Sequence, residues 1–288
     1  MSLHILENES LRVTVADAGA ELVGVYDKAR GAERIWTGDP AVWNRHAPIL
    51  FPFVGKVVDG KYRVGDREYP MPTQHGFARD LDFACTQEAG DAVTHVLAAT
   101  DWTRQRYPWD FRLTVAHRLE GRRLRVAWTV ENTGEGRMYF SIGGHPGFLV
   151  PEGVDKEDCL LLFPGAKSLR YISASPAGYA RTTPKALPLW EGRARYQADV
   201  PDTWIFEDGQ VKRVGIAAPD GQPWVMLDCE AFPMLAVWAN PKGPFICLEP
   251  WFGRTDDEGF TGAIDQKKGI QALEAGGTRQ IAYSMEFC

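Results

Sequence analysis

Residues 113–130, which read LTVAHRLEGRRLRVAWTV, decide the fold. On each side of residues 120–123, apolar and polar residues alternate with a period of two. Alternation around a turn that contains glycine is typical of a β-hairpin with one buried face. We therefore predict two antiparallel strands here. His117 falls in the apolar phase, so we expect it to be a core histidine with a hydrogen-bond partner.

Similar short runs recur along the chain, and turn residues separate many of them. They are residues 11–15, 21–26, 61–69, 94–98, 211–216, 224–227, 234–238, 245–248 and 280–287. Convincing amphipathic helices are hard to find. Many strands with short polar turns indicate an all-β sandwich or barrel. We expect the Pro-rich stretch 151–202 to form excursions from the same domain, so that residues 1–288 form one domain.

Composition excludes several classes of partner and site. The net charge of −6 and the isoelectric point near 5.6 give no support to nucleic acid or an anionic membrane as a partner. The five cysteines form no CxxC pair and are odd in number, which favours a reducing compartment over a disulfide framework. The first residues carry no basic and apolar leader pattern. We therefore expect a cytoplasmic protein. The composition leaves a neutral or weakly charged small molecule open as a ligand.

Two histidines and one acid lie in contexts that suit chemistry. His75 lies in PTQHGFAR (72–79) and His145 in GGHPGF (143–148), where glycine lets backbone or ligand approach the ring. Glu249 directly follows an apolar run in FICLEPWFGR (245–254), where a buried strand meets a rim. A carboxylate poised near an imidazole is suited to general acid–base catalysis. Taken singly, each of the three could equally be structural.

Other chemistries receive less support from the residues. The sequence has no nucleophile elbow, Walker loop, dinucleotide fingerprint or H-E-x-x-H helix. A metal site made from His46, His75, His145 and Glu249 is a minority interpretation, because no close His-x-His or His-x3-His spacing is present. His4 and His95 lie in short segments without catalytic neighbours, so we expect structural or surface roles for both.

Several motifs follow one another along the chain: WNRHAPILFPFVGK (43–56), DGKY (59–62), HGFARD (75–80), GHPGF (144–148), LEPW (248–251) and KGI to LEAG (268–276). In this order they resemble the aldose 1-epimerase (galactose mutarotase-like) superfamily, and in particular its LacX-like branch. The resemblance spans almost the whole chain. Motifs in this order are far more specific than any one of them.

The resemblance implies one large antiparallel β-sandwich, a supersandwich, with a sugar bound in an open cleft. By motif position, Glu249 resembles the catalytic base, His145 the catalytic acid and His75 the second histidine, which binds near the sugar ring oxygen. Lys56 falls where many members carry a sugar-binding arginine. The family's sugar-binding aspartate has no clear counterpart here. Asp228 and Asp256 are weak candidates.

The activity expected from the resemblance is interconversion of the α and β anomers of a hexose, without metal or redox cofactor, by a monomer or homodimer. Trp43 and Trp251 offer flat faces for sugar C–H groups. HGFAR is shared with hexose-6-phosphate epimerases, where basic residues such as Arg45, Lys56 and Arg79 would grip a phosphate. The structural alternative for Arg79 is an ion pair with Asp80 or Asp82. A non-catalytic carbohydrate-binding protein is the remaining alternative.

Overall fold

The computed structural model describes residues 2–196 and 203–288, and strands dominate both ranges. In chain order the strands are β1 (Leu3–Glu7), β2 (Leu11–Ala16), β3 (Leu22–Asp27), β4 (Ala32–Glu33), β5 (Ile49–Leu50), β6 (Lys61–Val64), β7 (Arg67–Pro70), β8 (Ala84–Ala89), β9 (Ala92–Ala98), β10 (Phe111–Glu120), β11 (Arg123–Asn132), β12 (Met138–Phe140), β13 (Ile142–Gly144), β14 (Gly147–Leu149), β15 (Leu160–Leu162), β16 (Ser168–Ala174), β17 (Ala180–Pro188), β18 (Arg193–Arg195), β19 (Trp204–Phe206), β20 (Arg213–Ala217), β21 (Pro223–Asp228), β22 (Met234–Trp238), β23 (Phe245–Phe252), β24 (Gln271–Leu273) and β25 (Thr278–Phe287).

Helices contribute little to the described ranges. One short α-helix, α1, covers Asp101–Arg104, and single 3-10 turns cover Val58–Gly60, Ala78–Asp80 and Ile264–Gln266. None of these elements has the length and apolar character that a membrane crossing requires.

The hairpin predicted from residues 113–130 is confirmed. Strands β10 and β11 pair with Glu120 opposite Arg123, so only Gly121 and Arg122 form the loop. Buried and more exposed residues alternate along both strands, as period-two patterning requires. His117 is buried, and burial lowers its pKa to about 3. Its Nδ1 has no hydrogen-bond partner among the described residues, so the expected partner of that nitrogen is not found.

Two large antiparallel sheets form the body of the molecule. One has nine strands in the order β18-β15-β20-β21-β25-β11-β10-β9-β8. The other has eight strands, in the order β17-β16-β19-β22-β23-β13-β5 with β14 paired to β23. Apolar side chains from both sheets, such as Val115 of β10 and Leu248 of β23, belong to one continuous buried cluster. The antiparallel β-sandwich is thus confirmed.

The stretch 151–202 was expected to be less regular and to form excursions on the same domain, but its described part contains four strands. Strands β15 and β18 extend one end of the nine-stranded sheet, and β16 and β17 extend one end of the eight-stranded sheet. The sequence signal is weak here because β17 is exposed along most of its length, so apolar alternation is lost. Residues 197–202 of this stretch lie outside the described residues.

Candidate active site

The strand β23 carries Glu249 on the face away from the main core. Ile246 and Leu248 pack into the central apolar cluster, so the intervening side chains of this strand point to the opposite face. That opposite face presents Cys247, Glu249 and Trp251. Glu249 is only 1% exposed although it borders a cleft. The strand therefore places a carboxyl group in apolar surroundings at the floor of that cleft.

His145 faces this carboxyl group from the segment that joins β13 to β14. Its Nε2 lies 3.3 Å from Oε2 of Glu249. The two atoms are not aligned for a hydrogen bond, and Oε2 of Glu249 has no other hydrogen-bond partner among the described residues. The backbone N–H of His145 donates to the carbonyl oxygen of Pro48 at 3.1 Å, which fixes the ring's position. An acid and an imidazole thus meet at the floor of one cleft, as the sequence predicted.

Glycines beside His145 make room for aromatic rings. A Cβ on Gly143 would lie 2.5 Å from the indole of Trp251, and one on Gly147 would lie 3.1 Å from the indole of Trp43. Each distance is shorter than an ordinary carbon–carbon contact. The GGHPGF motif is therefore a packing requirement of the cleft.

His75 borders the cleft beside His145, with the two rings 5.5 Å apart and nearly perpendicular. The backbone N–H of Gly55 donates to Nδ1 of His75 at 3.1 Å, so Nδ1 is the acceptor and Nε2 carries the hydrogen. Burial lowers the pKa of His75 well below its ordinary value, which keeps the ring neutral. His75 also has a φ of +67°, a left-handed conformation that is rare outside glycine and recurs at functional sites. A neutral ring that donates from Nε2 suits a hydrogen bond to a sugar oxygen.

Aromatic side chains form walls of the cleft. The ring of Trp43 lies 5.0 Å from that of His145, and the ring of Trp238 lies 5.5 Å from it. Phe245 stacks against Trp43 from behind. Trp43 and Trp251, which were predicted from the sequence, both line the cleft, and Trp238 does so as well. The cleft encloses about 250 Å³, slightly below the ~300–1,000 Å³ of sites for drug-sized ligands, so its size suits one monosaccharide.

Arg79 is the predicted basic residue that lines the cleft. Its Nη2 donates to the carbonyl oxygen of Gln74 at 2.8 Å, and its buried Nε has no partner among the described residues. The expected ion pair of Arg79 with Asp80 or Asp82 is not formed there. Asp80 pairs instead with Arg45. The guanidinium of Arg79 is thus available for a ligand.

Lys56 does not line the cleft. Its Nζ donates to the carbonyl oxygen of Ala177 at 2.8 Å. The weak aspartate candidates also lie elsewhere: Asp228 pairs with arginines of the nine-stranded sheet, and Asp256 pairs with Lys267. The sugar-binding role of Lys56 stays a prediction, and it would require the hydrogen bond from Nζ of Lys56 to Ala177 to break.

Several polar cleft residues were missed by the sequence analysis. They are Gln74, Thr203 and Asn240. Gln74 could have been found, because it directly precedes His75 in the motif. Asn240 carries no comparable signal, since it follows strand β22 in an ordinary turn and donates to the carbonyl oxygen of Val42. The fold, and not a sequence motif, brings such residues to the cleft.

Burial governs the protonation of the central pair. It raises the pKa of Glu249 well above its ordinary value, against a smaller opposite effect of the neighbouring indole of Trp251. Burial also lowers the pKa of His145 to about 3. Burial therefore favours a protonated carboxyl group beside a neutral imidazole. This form has the same number of protons as a carboxylate beside an imidazolium, so one proton transfer converts one into the other.

The metal set suggested by the sequence is not assembled as such. His46 does not line the cleft, and its Nδ1 lies 3.6 Å from Glu21. Instead Cys247 joins His145 and Glu249, with potential ligand atoms within 4.8 Å of one another. Burial raises the pKa of the Cys247 thiol well above its ordinary value, which disfavours the thiolate that a metal ion needs.

Known proteins resemble this chain along most of its length. A family model described as aldose 1-epimerase matches residues 2–185. The chromosomal protein LacX of Lactococcus lactis subsp. lactis is 30% identical over 260 residues, which cover 86% of this chain and 87% of LacX. A galactose mutarotase-like protein from Lactobacillus casei superposes with a TM-score of 0.93 at 33% identity and full coverage of both chains. A galactose mutarotase related enzyme from Lactobacillus acidophilus gives 0.92 at 28% identity, covering 100% of this chain and 97% of the other.

Proposed function

The chain belongs to the aldose 1-epimerase family, and from this premise we propose that it is a mutarotase that interconverts the α and β anomers of an unphosphorylated hexose. The observation that carries the proposal is the contact of 3.3 Å between Nε2 of His145 and Oε2 of Glu249 at the floor of a cleft sized for a monosaccharide. Mutarotation needs one group that accepts a proton and one that donates a proton. This pair supplies both.

The proposed reaction begins when Glu249, as carboxylate, takes the proton of the anomeric hydroxyl, while His145, as imidazolium, donates a proton to the ring oxygen. The C1–O5 bond breaks and the open-chain aldehyde forms. Rotation about C1–C2 presents the other face of the carbonyl group, and ring closure with the roles reversed gives the opposite anomer. Each proton transfer typically contributes ~10²–10⁴-fold to the rate.

Substrate binding has to move the central pair into its charged form. Burial favours the neutral form of both Glu249 and His145. Transfer of one proton across their contact produces the reactive form without any exchange with solvent. Sugar hydroxyls that enter the cleft add hydrogen bonds to both charged groups, which lowers the cost of that transfer. Nε2–H of His75 is placed to hold the sugar oxygen during ring opening.

The preference for an unphosphorylated sugar rests on the basic residues. A phosphate site made from Arg45, Lys56 and Arg79 would need three converging cations. Only Arg79 lines the cleft, because Arg45 pairs with Asp80 and Lys56 bonds to a backbone carbonyl group. One guanidinium beside Gln74 and Asn240 is better suited to neutral hydroxyl groups.

The test is polarimetry of freshly dissolved α-D-glucose and α-D-galactose, with glucose 6-phosphate compared by an anomer-specific coupled assay. We expect the protein to accelerate equilibration of at least one free hexose well above the rate in buffer and to act more weakly on the phosphate ester. Faster turnover of the phosphate ester would contradict the choice of substrate. If the protein binds these sugars but does not accelerate anomer equilibration of glucose, galactose or glucose 6-phosphate, it is a non-catalytic carbohydrate-binding protein.

A further inference from the structure

Strands β1 to β4 form a separate four-stranded sheet, the N-terminal sheet. A group of histidine and cysteine side chains that does not line the cleft lies where this sheet meets the edge of the nine-stranded sheet. His4 belongs to β1, Cys85 to β8 and His95 to β9. Cys85 and His95 are direct cross-strand partners. The backbone N–H of Glu7 donates to the carbonyl oxygen of Gly90, which holds β1 against this hairpin.

The three side chains converge. Their potential ligand atoms lie within 4.8 Å of one another. Two carboxylates adjoin them: Oδ1 of Asp17 lies 2.8 Å from Nε2 of His4 and 3.3 Å from Nε2 of His95, and Oε2 of Glu88 lies 3.1 Å from Nδ1 of His4. Two imidazoles, one thiol and two acids thus share one small volume.

His95 is the feature that internal bonding leaves unexplained. Its side chain is 0% exposed, yet neither ring nitrogen makes a hydrogen bond to any described residue. Its ring lies 5.0 Å from that of His4, and the two planes meet at 73°. The contact of 3.3 Å between Nε2 of His95 and Asp17 lacks hydrogen-bond alignment, and a buried imidazole whose nitrogens make no hydrogen bond costs free energy unless something else occupies them. A metal ion bound between His95, His4 and Cys85 would occupy one of the two ring nitrogens of His95.

The donor set selects the kind of ion. Two imidazole nitrogens with a thiolate and a carboxylate suit zinc, whose structural sites are tetrahedral, better than magnesium or calcium, which prefer oxygen. Zinc bonds of ~2.0–2.3 Å place neighbouring ligand atoms roughly 3.3–3.7 Å apart. The ligand atoms of His4, Cys85 and His95 therefore have to come about 1 Å closer to one another. Burial raises the pKa of the Cys85 thiol too, so zinc has to displace its proton, but Cys85 is exposed whereas Cys247 is buried. Cys85 lies on the edge strand β8, where such a movement meets little packing resistance.

The carboxylates have a role in such a site as well. Metal-bound histidines usually donate their other N–H to a carboxylate, which fixes the ring. Glu88 contacts His4 on its Nδ1 side and is placed for this role. Asp17 contacts both imidazoles and is the nearest group for the fourth ligand position.

We propose that His4, Cys85 and His95 bind one zinc ion, with Asp17 as the fourth ligand, and that this ion fastens the N-terminal strand β1 to the edge of the nine-stranded sheet. The site is separate from the sugar cleft and does not depend on the proposed mutarotase activity. It predicts a zinc-dependent gain in stability, because an ion that binds only the folded chain raises the free energy of unfolding.

The experiment uses full-length protein without a polyhistidine tag, stripped of metal and then equilibrated with zinc. We expect about one zinc ion per chain and a higher melting temperature with zinc. Cobalt should give the absorption of a tetrahedral thiolate complex. Cys85→Ser and His4→Gln should each weaken zinc binding at least roughly tenfold. Cys85→Ser should also abolish the cobalt–thiolate band, because it removes the thiol.

Two matched cysteine variants separate this site from other thiols. Cys288→Ser changes another free thiol away from the group, and Cys247→Ser removes the thiol beside the sugar cleft. Both should bind zinc as the wild type does. Loss of the cobalt–thiolate band in Cys247→Ser but not in Cys85→Ser would overturn the proposal. Absence of zinc binding by the wild type, or unchanged affinity in both Cys85→Ser and His4→Gln, would overturn it too.

Discussion

Glu249 is the residue at which stability and function oppose each other. It is 1% exposed, and burial raises its pKa well above the ordinary value of 4.5. A carboxyl group held in this way is costly to the fold, and a strongly shifted pKa in a cleft is typical of functional acids. A substitution that removes its titration should therefore help the fold while it harms catalysis.

The free-energy cost of burying Glu249 should increase as the pH rises. Above about pH 4.5 the unfolded chain releases the proton of Glu249, whereas the folded chain keeps it up to its raised pKa. The folded state then binds one proton more, so this residue lowers the free energy of unfolding by up to about 1.4 kcal/mol per pH unit as pH rises. Urea unfolding of Glu249→Gln and wild type should show an advantage of the variant that grows as the pH rises above about 4.5 towards the raised pKa of Glu249.

The matched control for this prediction is Glu230→Gln, which changes an exposed acid that pairs with Lys212. Its difference from wild type should stay nearly constant over the same pH range. An advantage of Glu249→Gln that does not change with pH would contradict the raised pKa of Glu249.

At the scale of elements, the turn at residues 75–80 shows how backbone geometry positions a functional side chain. The N–H groups of Phe77 and Ala78 both donate to the carbonyl oxygen of Phe51 at 3.0 Å. That close approach requires glycine at position 76, which has a φ of +69° and where a Cβ would lie 2.3 Å from the oxygen of Phe51. The turn in this way fixes the neighbouring ring of His75.

Gly76→Ala should destabilise the protein through two effects. The left-handed backbone costs roughly 1–2 kcal/mol for a residue with a Cβ, and the forced contact with Phe51 adds about 1–3 kcal/mol. Gly65→Ala is the control, because Gly65 also has positive φ but nothing within 4 Å of its Cβ position. Urea unfolding should show the larger loss for Gly76→Ala. Equal losses would contradict a steric role for the contact.

The elements also show what the sequence could and could not predict. The β10–β11 hairpin was predictable because one face of each strand is buried and the alternation is unbroken. Strand β23 is buried along its whole length, so its sequence gives no alternation and does not reveal which face carries Glu249. The group of His4, Cys85 and His95 was missed because its members lie on three strands whose pairing no local pattern indicates.

At the scale of the whole molecule, a buried cation links the N-terminal sheet to the C-terminal part of the nine-stranded sheet. Arg34 pairs with Asp27 at 2.7 Å and lies over the ring of Trp224 at 3.7 Å. It also donates to the backbone carbonyl oxygen of Cys288. The first and last segments of the chain are thereby connected beneath the surface. Organisation as one domain is consistent with these contacts and stays a prediction.

The whole-molecule organisation also explains why the cleft forms where it does. Residues of the cleft come from the segment before β5, from the loop between β7 and β8, from the β13–β14 segment and from strands β22 and β23 of the eight-stranded sheet and their flanks. The main apolar cluster supports that sheet from its other face. A rigid sheet under the central pair holds the acid and the imidazole at a fixed separation, which proton transfer requires.

The measurement that tests the central claim most directly is the rate of anomer equilibration, followed by polarimetry, for wild type, Glu249→Gln and the control Glu230→Gln. We predict acceleration of at least one free hexose by wild type and by Glu230→Gln, with a loss of ~10²-fold or more in Glu249→Gln because the proton acceptor is gone. Circular dichroism should show that all three proteins are folded. Retention of the wild-type rate in folded Glu249→Gln would contradict the assignment of Glu249 as the base.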